Sequence, residues 1–101
     1  MWNHNYYVYI TTNPAKTVLY IGVTNDIGVR LRQHKENKGT RKSFTGQYYC
    51  YNLVYYEHFS HIEHAIEREK EIKKWRREKK NALIGSLNPD WVFLNNQVGD
   101  D

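Results

Sequence analysis

The stretch YIGVTNDIGVRLRQH, residues 20–34, asks for a strand, a turn and a helix in immediate succession. Leu19, Ile21 and Val23 alternate with Tyr20 and Gly22, the period of two that gives a strand one buried face. Thr24, Asn25 and Asp26 each carry a side chain able to cap a helix start, Asn25 best by position. Beyond them Ile27 and Leu31 stand one helical turn apart and can face a core. Asp26, Arg30 and His34 repeat that spacing as a separate polar row. Tyr20 on the strand and Arg30 and His34 on the helix can therefore open onto one cleft. Each has a structural alternative: packing for the tyrosine, solvation for the histidine, and an Asp–Arg surface pair worth only about 0.2–0.5 kcal/mol.

Upstream, residues 6–12 alternate Tyr6, Val8 and Ile10 with Tyr7, Tyr9 and Thr11, a density of aromatic and β-branched residues that predicts a strand. Asn13-Pro14-Ala15-Lys16 supplies a turn, and residues 18–24 return as the antiparallel partner, bringing Tyr9 near Tyr20. His4, before the strand, reads as a polar end residue rather than a ligand. The helix is expected from 26 to 36 or 37, with Gly39 just past its end. Gly28 within it costs about 1 kcal/mol relative to alanine, for no reason visible in the sequence.

Residues 38–49 show no clear periodicity, yet they interleave Lys38, Arg41 and Lys42 with Phe44, Tyr48 and Tyr49. Cations neutralise phosphates and aromatic faces stack on unpaired bases; the alternative is a basic surface loop whose aromatics tuck under the sheet. A third strand is expected over 50–59, and Ser60 with Glu63 matches a capping box. In the helix that follows, Ile62, Ala65, Ile66 and Ile72 share one face, and Glu69 falls within it. A carboxylate in an apolar stripe is costly unless paired or metal-bound, and Lys73, one turn on, is the available partner. The helix should bend or break near Arg77, with a shorter one carrying Ala82, Leu83 and Ile84, closed by Gly85, Asn88 and Pro89. Trp91, Phe93 and Leu94 then pack on the core, and 97–101 should fray.

At 101 residues the chain has room for one core, so a single domain over 1–101 is expected, with 79–95 as its C-terminal helical packing segment. The lone Cys50 excludes an internal disulfide, no signal peptide is evident, and no stretch approaches the ~20 apolar residues that span a bilayer. A cytoplasmic protein is expected, with no membrane partner. Net charge is +4, and every Lys and Arg except Lys16 lies in 30–42 or 68–80, the footprint of a polyanion binder. His58, His61 and His64 match no zinc signature, and no phosphate-binding glycine loop is present.

Tyr20-Ile21-Gly22 followed by Arg30 and His34 resembles the second motif of the GIY-YIG endonuclease family. Tyr7-Val8-Tyr9 stands one hairpin upstream, where the first motif belongs, with Tyr7 in place of the glycine of the family name. Glu69, four residues after Ala65, matches the family's single helix glutamate. The resemblance spans 6 to about 74 and is strongest to small single-domain members. It implies an α/β (α+β) fold, a small three-stranded antiparallel sheet flanked by three to four helices.

It also implies a divalent-metal-dependent endonuclease acting on nucleic acid, DNA more than RNA, in a repair or recombination-type role. In that reading Tyr20 is the base, Tyr9 orients water or phosphate, Arg30 grips the scissile phosphate, and His34 bonds the tyrosine or the phosphate. Glu69 holds Mg²⁺ or Mn²⁺. Lys38, Arg41, Lys42 and Phe44 in the loop, with Lys73 and Arg76 on the basic helix end, are the expected nucleic-acid contacts. The absence of an evident targeting domain points to a possible partner protein. The alternative is a non-catalytic nucleic-acid-binding module on the same scaffold, and a third reading is a protein-interaction subunit using its aromatics.

Overall fold

A computed structural model describes residues 5–39 and 43–98. The chain runs β1 (Tyr6–Thr12), β2 (Leu19–Thr24), α1 (Ile27–Glu36), α2 (Phe44–Gln47), β3 (Asn52–Phe59), α3 (Ile62–Lys73) and α4 (Arg77–Leu87), and ends in a 3-10 turn, Asn95–Val98. The sheet is antiparallel throughout, in the order β2-β1-β3. This is the α+β architecture expected: three strands with helices on both faces.

The period of two along β1 decides which residues meet which layer. Val8 and Ile10 face α3 and α4, in a core with Ile21, Val54, Ala65, Ile72 and Ile84. Tyr9 faces the other way, packing with Ile27 and Leu31 of α1 and with Leu53 and Leu94. The pairing with β3 shifts between Ile10 and Thr11, whose partners are Tyr55 and Leu53, leaving Val54 as an extra residue. That bulge turns Val54 and Tyr55 toward one core and Leu53 toward the other.

Several local expectations change in three dimensions. Asp26, not Asn25, caps α1: its backbone is extended and its side chain accepts from the Val29 N–H at 3.1 Å. The Ser60 capping box does not form; the cap position is His61, without a side-chain bond. Ile66, counted on the buried face, is 39% exposed, because the covered stripe of α3 narrows to Ala65 and Ile72. The connection expected to lack structure contains α2, capped by Ser43, whose side chain accepts from the Gly46 N–H. Gly85 lies inside α4, and Asn88 closes that helix.

The break between α3 and α4 falls at Lys74 to Arg76, as the sequence suggested, and Arg77 then clasps the hairpin by donating to the carbonyls of Thr17 and Lys16. The Trp75 ring is flanked by the Arg68 and Lys79 cations at 5.1 and 4.3 Å. Much of the second basic stretch is therefore occupied structurally. Arg68 also pairs with Glu57 at 2.9 Å and Glu71 at 2.8 Å. Burial opposes ionisation of Glu57, but Arg68 and the Tyr55 hydroxyl outweigh it and hold the carboxyl below its usual range.

The C-terminal segment is tied to β3 by side chains that imitate backbone. Asn88, buried, donates to the Val54 and Val92 carbonyls and accepts from the Val92 N–H. Asn95 accepts from the Leu53 N–H and donates to the Tyr51 carbonyl. Leu94 is buried, whereas Phe93 is 40% exposed. Gly28 now has its reason: a Cβ there would meet the Val98 carbonyl oxygen at 2.6 Å, so the glycine admits the tail against α1. Among the described residues, no helix is long and apolar enough to cross a membrane.

Candidate active site

Tyr9 lies on the central strand, and Tyr20 is cross-strand partner of Thr11, so both rings rise from one face of the hairpin with centroids 6.2 Å apart. Helix α1 crosses above them. Leu31 anchors it, which turns His34, one position short of a full turn on, down toward the sheet. The Tyr9 hydroxyl stands 3.0 Å from His34 Nε2, and the Thr45 hydroxyl, on α2, stands 3.0 Å from His34 Nδ1. Tyr9 is 1% exposed and His34 3%. The Arg30 guanidinium interacts with both phenols, and its Nη1 donates to Gln33 Oε1 at 2.9 Å.

His34 sits between two hydroxyls, each able to donate or accept, so one ring nitrogen donates and the other accepts along this chain. A guanidinium offers only N–H donors, so the Arg30 charge beside Tyr9 favours the arrangement in which the phenol gives its proton to His34 Nε2. The neutral imidazole then carries its proton on Nδ1 and donates to Thr45 Oγ1. Electrostatics keep the ring neutral. Burial, and then the Arg30 charge, lower the His34 pKa to about 4, so the ring is neutral at pH 7. Burial raises the Tyr9 pKa far above its usual value, Arg30 offsets only part of this, and Tyr20 adds to it. Arg30 keeps its proton more tightly than usual: its own burial works against this, but Tyr9 and Tyr20 outweigh it. Tyr20 is the more accessible phenol, half-buried at the mouth of the cluster.

Of the residues singled out in the sequence, Tyr9, Tyr20, Arg30, His34 and Phe44 come together. The Phe44 ring lies 5.9 Å from Tyr20. Glu69 is on α3, its side chain 20% exposed and 3.5 Å from Lys73 Nζ. Lys73 in turn lines a depression of about 290 Å³ with Leu19, Tyr20, Ile21 and Phe44, which joins the glutamate's helix to the tyrosine's rim. Lys38 sits in the turn after α1, its ammonium 5.9 Å from the Tyr51 ring, and Arg76 is exposed at the cap of α4. Arg41 and Lys42, like Trp2 and His4, lie outside the described residues. A roomier hollow of about 370 Å³ near the start of α1, lined in part by Tyr7, Asn25 and Tyr56, contains none of the five catalytic candidates.

Thr45 was not foreseen. Its only sequence signal is the Ser43-Phe44-Thr45 string ahead of Gly46, which reads as a cap and says nothing of a bond to His34. For a metal, the local donors are few. Among the described residues no group of three or more His, Cys, Asp or Glu side chains could hold an ion. His58 bonds Asn5, and His61 and His64 contact only edge to face. Glu69 offers one hard carboxylate, a donor set suited to Mg²⁺, which keeps several waters and takes the rest of its shell from substrate phosphate.

The family model for the GIY-YIG catalytic domain matches residues 5–81. A UPF0213 protein of Bacillus pumilus is 36% identical over 87 residues, covering 86% of this chain and 86% of that protein. One from Haloquadratum walsbyi is 37% identical over 81 residues, 80% of this chain and 88% of its own. The solution NMR structure of a UPF0213 protein from Bacillus halodurans superposes with a TM-score of 0.53 at 25% identity, covering 96% of this chain and 99% of that one.

Proposed function

Because the chain belongs to the GIY-YIG catalytic domain family, we propose that it is a divalent-metal-dependent endonuclease that hydrolyses phosphodiester bonds in nucleic acid, DNA in preference to RNA, in a repair or recombination-type role. The observation behind this reading is the bond chain Thr45–His34–Tyr9, which holds a neutral imidazole and a buried phenol behind Arg30 and Tyr20. Each bond of such a chain adds only about 0.5–1.5 kcal/mol net, so its main effect is to hold the Tyr9 and His34 side chains in one arrangement behind Arg30 and Tyr20.

Phosphodiester hydrolysis needs a proton removed from water, charge held at the phosphoryl oxygens, and an alcohol released. Tyr9 is poorly placed to take the proton: its oxygen is buried and already bonded to His34. Tyr20, half-buried beside Arg30, is the phenol that meets water and substrate. Arg30 offers a planar fork to the scissile phosphate, and Gln33 steadies that fork. His34 and Thr45 act behind Tyr9, keeping its oxygen turned to Arg30. Glu69 is the residue that would hold Mg²⁺ or Mn²⁺, and the ion, when bound, would neutralise charge on the phosphoryl and leaving oxygens. Lys38, Arg41, Lys42, Lys73 and Arg76 would contact the strand backbone. The buried, free Cys50 suits a reducing compartment, and we propose the cytoplasm.

One observation favours a second reading. Glu69 is already paired with Lys73, and a glutamate committed to that pair would leave a nucleic-acid-binding module without catalysis. The two separate in a cleavage panel of structured and single-stranded DNA and RNA with Mg²⁺ or Mn²⁺, run beside Arg30→Ala. The nuclease reading expects metal-dependent cutting that Arg30→Ala abolishes; salt-sensitive binding without cutting would establish the module instead.

A further inference from the structure

The segment that carries Thr45 is built inside out. In the α2 region the polar Thr45 is 4% exposed and Gly46 is buried, while Phe44, Tyr48 and Tyr49 are 46%, 42% and 48% exposed. The seat is firmly bonded. Ser43 caps the turn, Thr45 binds His34, the Gly39 N–H donates to the Gly46 carbonyl, and the Cys50 N–H donates to the Thr45 carbonyl. A firmly bonded turn that shows its aromatic rings to water keeps apolar area exposed that burial would stabilise by about 25 cal/mol per Å².

Those rings continue the catalytic cluster outward. Phe44 lies 4.7 Å from Tyr48 and 5.9 Å from Tyr20, its plane 31° from that of Tyr20, and Tyr20 meets His34 at 5.6 Å. Between Phe44 and β2 opens the depression of about 290 Å³, walled by Leu19, Tyr20 and Ile21 and edged by Lys73. This lies at the lower edge of the roughly 300–1,000 Å³ of small-molecule pockets and suits one planar heterocycle. Its chemistry is an aromatic and aliphatic surface with a cation at the rim, the pairing by which proteins hold single-stranded nucleic acid.

We propose that Phe44, with the Leu19–Tyr20–Ile21 wall and Lys73, forms a stacking subsite for an unpaired nucleobase immediately beside the scissile phosphate. The inference rests on the nuclease reading and narrows its substrate class. A base inside a duplex has both faces covered by its neighbours, so it cannot lie on Phe44 while its phosphate sits at Tyr20 and Arg30. The substrate is then single-stranded, or carries an unpaired nucleotide at the cut site. The other phosphate flanking that nucleotide, away from Arg30, falls toward Lys73, whose side chain is half exposed even while it pairs with Glu69.

The test is binding in EDTA, where no cleavage occurs, by fluorescence anisotropy of a fluorescein-labelled single-stranded DNA oligonucleotide and of the blunt duplex of the same sequence. Phe44→Ala should weaken the single strand roughly 5- to 150-fold and leave the duplex unchanged, whereas Phe44→Trp, which keeps a stacking face, should retain single-strand binding. Phe44→Leu keeps apolar volume without the π-face and should behave as alanine does, which guards against a folding artefact. Equal losses on both probes, or none on either, would overturn the subsite. Binding in EDTA does not depend on turnover, so failure of the two readings can be told apart. A Phe44-dependent single-strand preference in a protein that never cuts would keep the subsite and sink the nuclease; Phe44-independent binding in a protein that cuts duplex would do the reverse.

Discussion

Gly22 stands opposite Tyr9 on the paired strands, and a Cβ on that glycine would lie 2.6 Å from the Tyr9 hydroxyl oxygen. The same Cβ would meet the Tyr20 ring at 2.9 Å. The last residue of the Tyr20-Ile21-Gly22 string is thus the floor on which one phenol lies and against which the other leans. Its role is room rather than turn-making, since the backbone there is ordinary strand.

Gly22→Ala tests that room. The Tyr9 phenol is a side-chain end, but it is fully buried and bonded to His34, so moving it disturbs that bond. The variant should lose about 1–3 kcal/mol of stability, the usual cost of overpacking, and lose cleavage more completely than stability. Urea denaturation and the cleavage assay on the same preparation measure both. A variant as stable and as active as the parent would show that the cluster tolerates a displaced Tyr9.

The two tyrosines should separate by phenotype. Tyr20→Phe keeps the ring contacts with Tyr9, His34 and Phe44, so fold and binding should persist while turnover collapses. Tyr9→Phe leaves His34 Nε2 without its partner in a buried site, at about 1–3 kcal/mol of stability, and should harm turnover less. Melting curves and single-turnover rates for both variants decide it; a larger kinetic loss in Tyr9→Phe would reverse the proposed roles.

Acid should weaken the fold through His34. Above pH 6.5 the ring is neutral folded and unfolded, and it contributes no pH dependence. As pH falls from 6.5 toward the folded value of about 4, the unfolded chain binds the proton and the native state does not, so stability declines, by on the order of 3 kcal/mol in all. Below that value the loss levels off. Glu57, held below its usual range by Arg68, adds a loss in the carboxylate range at lower pH. Urea denaturation between pH 7 and 5 should slope for the parent and lie nearly flat for His34→Gln. Parallel slopes would mean that the proton goes elsewhere.

Glu69 and Lys73 are 3.5 Å apart with side chains 20% and 50% exposed, so the pair sits within solvent's reach and is worth at most about 1 kcal/mol. Glu69→Met should therefore melt close to the parent in metal-free buffer, and lose both cleavage and any stabilisation by Mg²⁺. Melts with and without Mg²⁺, beside the cleavage assay, make the comparison. A marked fall in melting temperature without metal would make the pair structural, and persistent cleavage would move the metal to another carboxylate, Glu67 first.

The strand-turn-helix order of 20–34, the single face shared by Tyr9 and Tyr20, and the break after α3 were all legible in the sequence, because periodicity within one element depends only on local geometry. Four of the candidate residues, Tyr9, Tyr20, Arg30 and His34, could be gathered into one neighbourhood on that basis, whereas Phe44 lies in a stretch without periodicity and joins them only in three dimensions. Contacts between elements could not. Asp26 rather than Asn25 became the cap because the Val29 N–H points to its carboxylate. Gly28 matters only because the Val98 carbonyl arrives from the far end of the chain. Glu69 looked stranded in an apolar stripe, yet α3 turns it far enough toward solvent for Lys73 to reach it. Thr45 joined the cluster because the turn containing it folds back under α1, where its hydroxyl meets a histidine eleven positions earlier. A sequence states which face of an element each side chain takes; what waits on that face is set by how the elements pack, and packing brings together residues whose spacing along the chain carries no period.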